Sequence, residues 1–143
     1  MRPDLQDVLH TSFARLTGRT LCEVAGSTDL YHAPAVVLMH GTQADPIFCF
    51  ANLAAQRLWG YTWEDFITMP SRQSAEADVQ AERERLLARA RADGFIDDYA
   101  GVRIARDGRR FRISGVILWN VDDESGKACG QAAVFMPPLI PGA

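Results

Sequence analysis

The sequence is short of the features that announce a function. Its three cysteines, Cys22, Cys49 and Cys129, stand far apart with no CxxC pair. That usage fits reduced thiols in a cytoplasmic protein and points away from a disulfide frame or a zinc site. No apolar run approaches the roughly 18 residues that a membrane span needs. The N-terminal MRPDLQDVLH carries two aspartates where a secretory leader has its apolar core. Lysine occurs once, at Lys127, among 15 basic residues, and the net charge of −3 implies no bulk attraction to nucleic acid or an anionic membrane. No internal repeat is present. Nor is there a convincing catalytic constellation: the dyads that can be drawn join His32 or His40 to Asp29 or Asp45, all near one stretch of chain.

What is present reads as one ordinary globular domain. The 143 residues are 48% hydrophobic and 23% charged, enough to bury roughly two thirds of the unfolded surface. Leu5, Val8, Leu9, Phe13 and Leu16 recur at helical spacing, with Gly18 just beyond them, and predict an amphipathic helix over 4–17. AVVLMHG (35–41) and DPIFCFA (45–51) predict two strands joined by a short loop. Asn52 then stands where its side-chain oxygen can cap a helix over 53–59, ended by Gly60. Thr62 to Asp65 has capping-box form and starts a second short helix, which Pro70 stops. Ser74 can cap a longer helix, Ala75 to about Ala92. Strands over 96–106, 109–120 and 127–136 follow, joined by Asp107-Gly108 and by residues 122–126, and PPLIPGA ends the chain in extended form.

The strands AVVLM, GVILW and QAAVFM are apolar without alternation, so both faces of the sheet centre must be covered. The middle helices can cover one face. The N-terminal helix, or a second chain, must cover the other.

Two long segments, HGTQADPIFCFANLAAQRLWGYTWEDFITMPSRQSAE and GFIDDYAGVRIARDGRRFRISGVILWNVDDESGKACGQAAVF, resemble the stand-alone bacterial proteins of the MEKHLA domain family, a PAS-related group. The resemblance runs from about residue 5 to residue 136, although the letters MEKHLA do not occur. It implies an α+β, PAS-like fold: a five-stranded antiparallel sheet with helices inserted between strands 2 and 3, plus the N-terminal helix. Divided on that basis, residues 1–33 are a helical cap and connector, 34–137 the PAS-like core and 138–143 an extended tail. The resemblance supplies neither a reaction nor a ligand.

PAS domains commonly use the cavity between sheet and helices for haem, flavin or a metabolite. Haem ligation needs an imidazole aimed into the cavity, but His10, His32 and His40 all lie outside 75–92, the helix that often supplies it. Flavin photochemistry of the LOV type needs a cysteine on the helices after the second strand, and 52–74 contains none. Gln131 is where such domains place an amide against the flavin. The ligand itself stays unknown. As pocket candidates the sequence offers Asn52, Trp59, Trp63, Phe66, Arg72, Trp119, Asn120 and Gln131; the aromatics are equally core candidates, and Arg72 can instead pair with Glu64, Asp97 or Asp98. As cap or dimer-interface candidates it offers Leu5, Val8, Leu9, Phe13 and Leu16. The arginines of RIARDGRRFR read as a solvated hairpin rather than a nucleic-acid patch, because aspartates lie close by.

The function expected is therefore non-enzymatic: ligand or signal sensing by a cytoplasmic homodimer. A dimerisation module with a self-filled cavity is the alternative. A small enzyme of NTF2-like form, using His32 or His40 with an aspartate, is a third.

Overall fold

The computed structural model describes residues 3–74, 88–89 and 93–138. Helix α1 (Pro3–Thr17) leads into α2 (Leu21–Ala25), a 3-10 turn (Leu30–His32), and strands β1 (Val36–His40) and β2 (Phe48–Ala51). Helices α3 (Leu53–Trp59) and α4 (Trp63–Phe66) and a 3-10 turn (Ser71–Ser74) precede β3 (Phe95–Ile104), β4 (Arg110–Asp122) and β5 (Ala128–Phe135). The helix expected over 75–92 falls outside the described residues except for Ala88 and Arg89, which are helical; the tail beyond residue 138 falls outside them entirely.

The five strands form one antiparallel sheet in the order β2-β1-β5-β4-β3. The first and last strands of the chain thus lie side by side at its centre, the arrangement expected of a PAS-like fold. Both faces of the sheet are covered. On the inner face, α3 and α4 pack over Val36, Leu38, Phe111, Ile113, Val116 and Phe135. On the outer face, Leu9 and Phe13 of α1 and Leu21 and Ala25 of α2 pack over Val37, Met39, Ile117, Trp119 and Val134. The second cover, which the sequence left open between the N-terminal helix and another chain, is supplied by the chain itself. Leu9 and Phe13 are fully buried, and Leu5, Val8 and Leu16 are partly buried against the same cluster.

Local signals explain the helices. The Asn52 side chain accepts from Ala55 N–H, and Gly60 closes α3 in the left-handed region at φ 81°. Thr62 and Asp65 form the reciprocal capping box of α4. Helix α2 and the turn at Leu30–His32 lie in the segment assigned from sequence to the cap and connector. Asp29 caps that turn by accepting from Tyr31 N–H.

Candidate functional site

The inner face has two unlike halves. Over one, Trp59 sits at the centre of an aromatic plug, with its ring 5.1 Å from Phe111, 6.2 Å from Phe66 and 6.3 Å from Phe135, all edge to face. Its indole N–H donates to the Ser74 carbonyl at 3.4 Å. All four rings are buried, so this half is filled by the protein's own side chains. The tip of the β3–β4 hairpin locks the plug from the side. Arg109 donates to the Leu58 carbonyl at 2.9 Å, and Arg106 N–H to the Trp59 carbonyl at 2.8 Å, at the end of α3. The Arg109 guanidinium and the Arg106 backbone amide thus satisfy carbonyls at a helix C-terminus that have no partner within the helix.

The other half ends in polar side chains. Along β1, Val36 and Leu38 face inward and Val37 and Met39 outward, so the period of two puts His40 on the inner face. The same parity places Asn120 of β4 and Gln131 of β5 there, because Trp119, Val121 and Ala132 belong to the outer cluster. The register pairs His40 with Gln131 and Gln131 with Asn120. Three polar side chains therefore run in a row across the three central strands. The Gln131 amide donates to Asn120 Oδ1 at 3.4 Å, a long bond between half-buried groups. Each amide offers a donor and an acceptor. The backbone is tightest beside this row. Gly130 has φ 151°, and a Cβ there would overlap the His40 carbonyl oxygen.

The remaining predicted site residues are placed elsewhere. Asn52 is fully buried and entirely committed: its Oδ1 accepts from Val37 and Ala55 N–H, and its Nδ2 donates to the Leu30 and Ala35 carbonyls. It ties α3, β1 and the turn before β1 together and leaves no group for a ligand. Trp119 lies on the opposite face from the plug, 4.9 Å from Phe13 of α1. Trp63 packs on Tyr31 and Phe50 with the outer cluster. The eight pocket candidates do not come together in one place: Trp59 and Phe66 share the plug, Asn120 and Gln131 share the polar row, and the other four stand apart.

Arg72 pairs with a different carboxylate from those expected, Asp45, with Nε 3.1 Å from both oxygens and both side chains about half exposed. Asp45 is thereby committed away from His40. Of the dyads drawn from sequence, Asp29 and His32 do meet, with Oδ2 2.6 Å from Nδ1. That hydrogen bond is the main cause holding the Asp29 carboxyl below its ordinary range. The pair sits on an exposed turn, not in a cleft. A shallow open groove of ≈ 310 Å³ lies outside the plug, lined by Tyr61, Asp65, Met69 and Arg106 among others. The place of His40 beside Gln131 is not among the sequence expectations, which weigh it for a dyad and for haem; its even spacing from Val36 and Leu38 is the available signal.

The sequence model of the MEKHLA domain matches residues 4–137. No curated protein matches the chain. Among solved structures, the PAS domain of a protein from Colwellia psychrerythraea is similar with a TM-score of 0.63 and 14% identity, over 73% of this chain and 86% of that one. An RsLOV variant is similar with a TM-score of 0.65 and 12% identity, over 99% of this chain and 72% of that one. The light-state dimer of the fungal blue-light photoreceptor Vivid gives 0.55 and 16%, over 71% and 76%. These likenesses concern the fold. Cys22 is on α2, Cys49 on β2 and Cys129 on β5, so none lies on the stretch 52–74.

Proposed function

This chain belongs to the MEKHLA domain family, and from that premise we propose that it is a non-catalytic sensory domain of PAS type. It holds a small molecule against the polar half of its inner sheet face and passes the signal on through dimer or partner contacts. The observation that carries this reading is the row of His40, Gln131 and Asn120, in register across β1, β5 and β4. The row already bonds within the protein, Gln131 to Asn120 and His40 Nδ1 to the Gly41 carbonyl at 3.0 Å, and what supports the reading is that it sets several donors and acceptors in line on one edge of the inner face, as a polar ligand edge requires. The ligand class that fits is a small molecule whose edge offers both donors and acceptors, with an apolar body lying on the half-buried Leu118 and Ala133. The exposed position of Asp29–His32, and the commitment of Asp45 to Arg72, support a reading without catalysis. A cytoplasmic homodimer is part of the proposal, supported by the dimer of the Vivid neighbour.

One observation favours a second reading, an assembly module. The plug of Trp59, Phe66, Phe111 and Phe135 fills half of the inner face with the protein's own rings. Native mass spectrometry of the untagged protein, repeated under denaturing conditions, separates the two. A mass that departs on denaturation supports the sensor, and a dimer with no added mass supports the assembly module.

A further inference from the structure

The cover supplied by α1 and α2 stops short of one end of the sheet. Ile117 is still buried. Past it on the outer face, Ser114, Gly115 and Arg112 of β4 are exposed, Val102 of β3 is 37% exposed and Met136, just after β5, is 59% exposed. Two of the three large apolar side chains that the described residues leave exposed, Val102 and Met136, belong to this region; Ile67 is the third.

The residues here form an ordered stripe. Arg112 lies between the inward-facing Phe111 and Ile113, and so points outward, paired in register with Val102. Asp97 and Asp98 occupy a bulge between the inward-facing Ile96 and Tyr99, opposite the outward-facing Ile117, and this two-for-one pairing, which interrupts the alternation, leaves both exposed on the outer side. Midway between these ends a second bulge sets Ser114 and Gly115 against Ala100. A Cβ at Gly115 would meet nothing. Read along β3, the stripe is acidic, then small, then apolar and basic. Among the described residues neither aspartate forms an ion pair, and neither does Arg112. At about 3.3 Å per residue, Asp98 and Arg112 are on the order of 13 Å apart along the strand, too far to pair within one chain.

We propose that this stripe docks a second copy of the chain about a two-fold axis passing near Ala100 and Ser114. Such an axis interchanges the two ends, so Asp98 of each protomer meets Arg112 of the other and both pairs form at once, as an isologous interface requires. The small central residues let the two sheets approach closely, and Val102 and Met136 flank the contact and lose their exposure. The partner is named from the charges themselves: a surface that is acidic at one end and basic at the other is complementary to its own two-fold copy. This rests on the dimer in the function proposed above and gives it a surface. The polar row lies on the other face of the sheet.

The test is sedimentation of the full chain in low and moderate salt, for wild type, Asp98→Arg, Arg112→Glu and the double variant. The wild type sediments as a dimer that salt weakens. Each single reversal puts like charges together and weakens it by ~100-fold or more, and the double variant restores it. A monomeric wild type, single variants as dimeric as wild type, or a double variant that stays monomeric would overturn the proposal. Ser114→Cys gives an independent reading: under mild oxidation it forms a cross-linked dimer that wild type, with its own three cysteines, does not. Bound mass measured on the same samples reports the ligand separately, so failure of the dimer surface and failure of the sensor reading are distinguishable.

Discussion

The indole N–H of Trp119 on β4 donates to the hydroxyl of Ser12 on α1 at 3.0 Å, between two fully buried residues 107 positions apart in sequence. Ser12 in turn donates to the Leu9 carbonyl at 3.3 Å. This two-step chain fixes where the N-terminal helix sits on the outer sheet face. Ser12→Ala leaves the buried indole N–H without its partner and costs about 1–3 kcal/mol, read from the midpoint of urea unfolding. An unchanged midpoint would mean that the helix is held by apolar packing alone.

Asn52 satisfies four backbone groups from three segments with one side chain. Asn52→Leu is similar in size but takes the amide away from Val37 and Ala55 N–H and from the Ala35 carbonyl, and leaves the Leu30 carbonyl with Ala33 N–H alone. We expect a loss of at least ~3 kcal/mol. A loss below 1 kcal/mol, by the same measurement, would show that water replaces the amide.

Gly130→Ala tests the close approach of β1 and β5. The added methyl meets the His40 carbonyl oxygen, and φ 151° is a conformation that only glycine adopts readily. The expected outcome is a cooperative fold of lowered thermal midpoint together with weakened ligand retention, since His40 and Gln131 flank the point of contact. A variant with wild-type midpoint and wild-type retention would remove the backbone constraint from the account.

The Asp65 carboxyl lies below its ordinary 3.8, first because Thr62 N–H donates to it and then because of the Thr62 hydroxyl. The folded state therefore stabilises the ionised form. That contribution is present above the unfolded pKa and is lost as pH falls through the lower folded value. Below about pH 4 the thermal midpoint of wild type drops, and Asp65→Asn reduces the drop by removing one of the groups responsible. Asp29 and Asp123 are shifted in the same direction, so part of the slope remains. Superimposable pH profiles of variant and wild type would contradict this role for Asp65.

Local chemistry made much of the fold legible. The caps at Asn52, Gly60 and Thr62 are signals contained within a few residues, and they produce α3 and α4 where they stand. The continuous apolar strands announced a sheet covered twice. The segment after Gly18 was less readable, because α2 is a five-residue helix whose N-cap residue, Thr20, makes no side-chain capping bond. The site was legible only by residue type. Whether a tryptophan on a strand faces the plug or α1 depends on parity, which the bulges of β3 and β4 shift, so Trp119 was grouped with Trp59 although the sheet separates them. Asn52 is legible as the cap of α3; its four partners come from chain 15 to 22 residues before it and three residues after it, a convergence that only the folded chain displays.

The central claim is that the amide row receives a ligand, and native mass spectrometry of wild type beside Gln131→Leu tests it most directly. The variant replaces a half-buried amide by an apolar side chain of similar size, so it should fold as wild type does. The account predicts added mass on wild type that departs on denaturation, and its loss or at least tenfold reduction on Gln131→Leu. Added mass retained equally by both proteins, or absent from both, would contradict it.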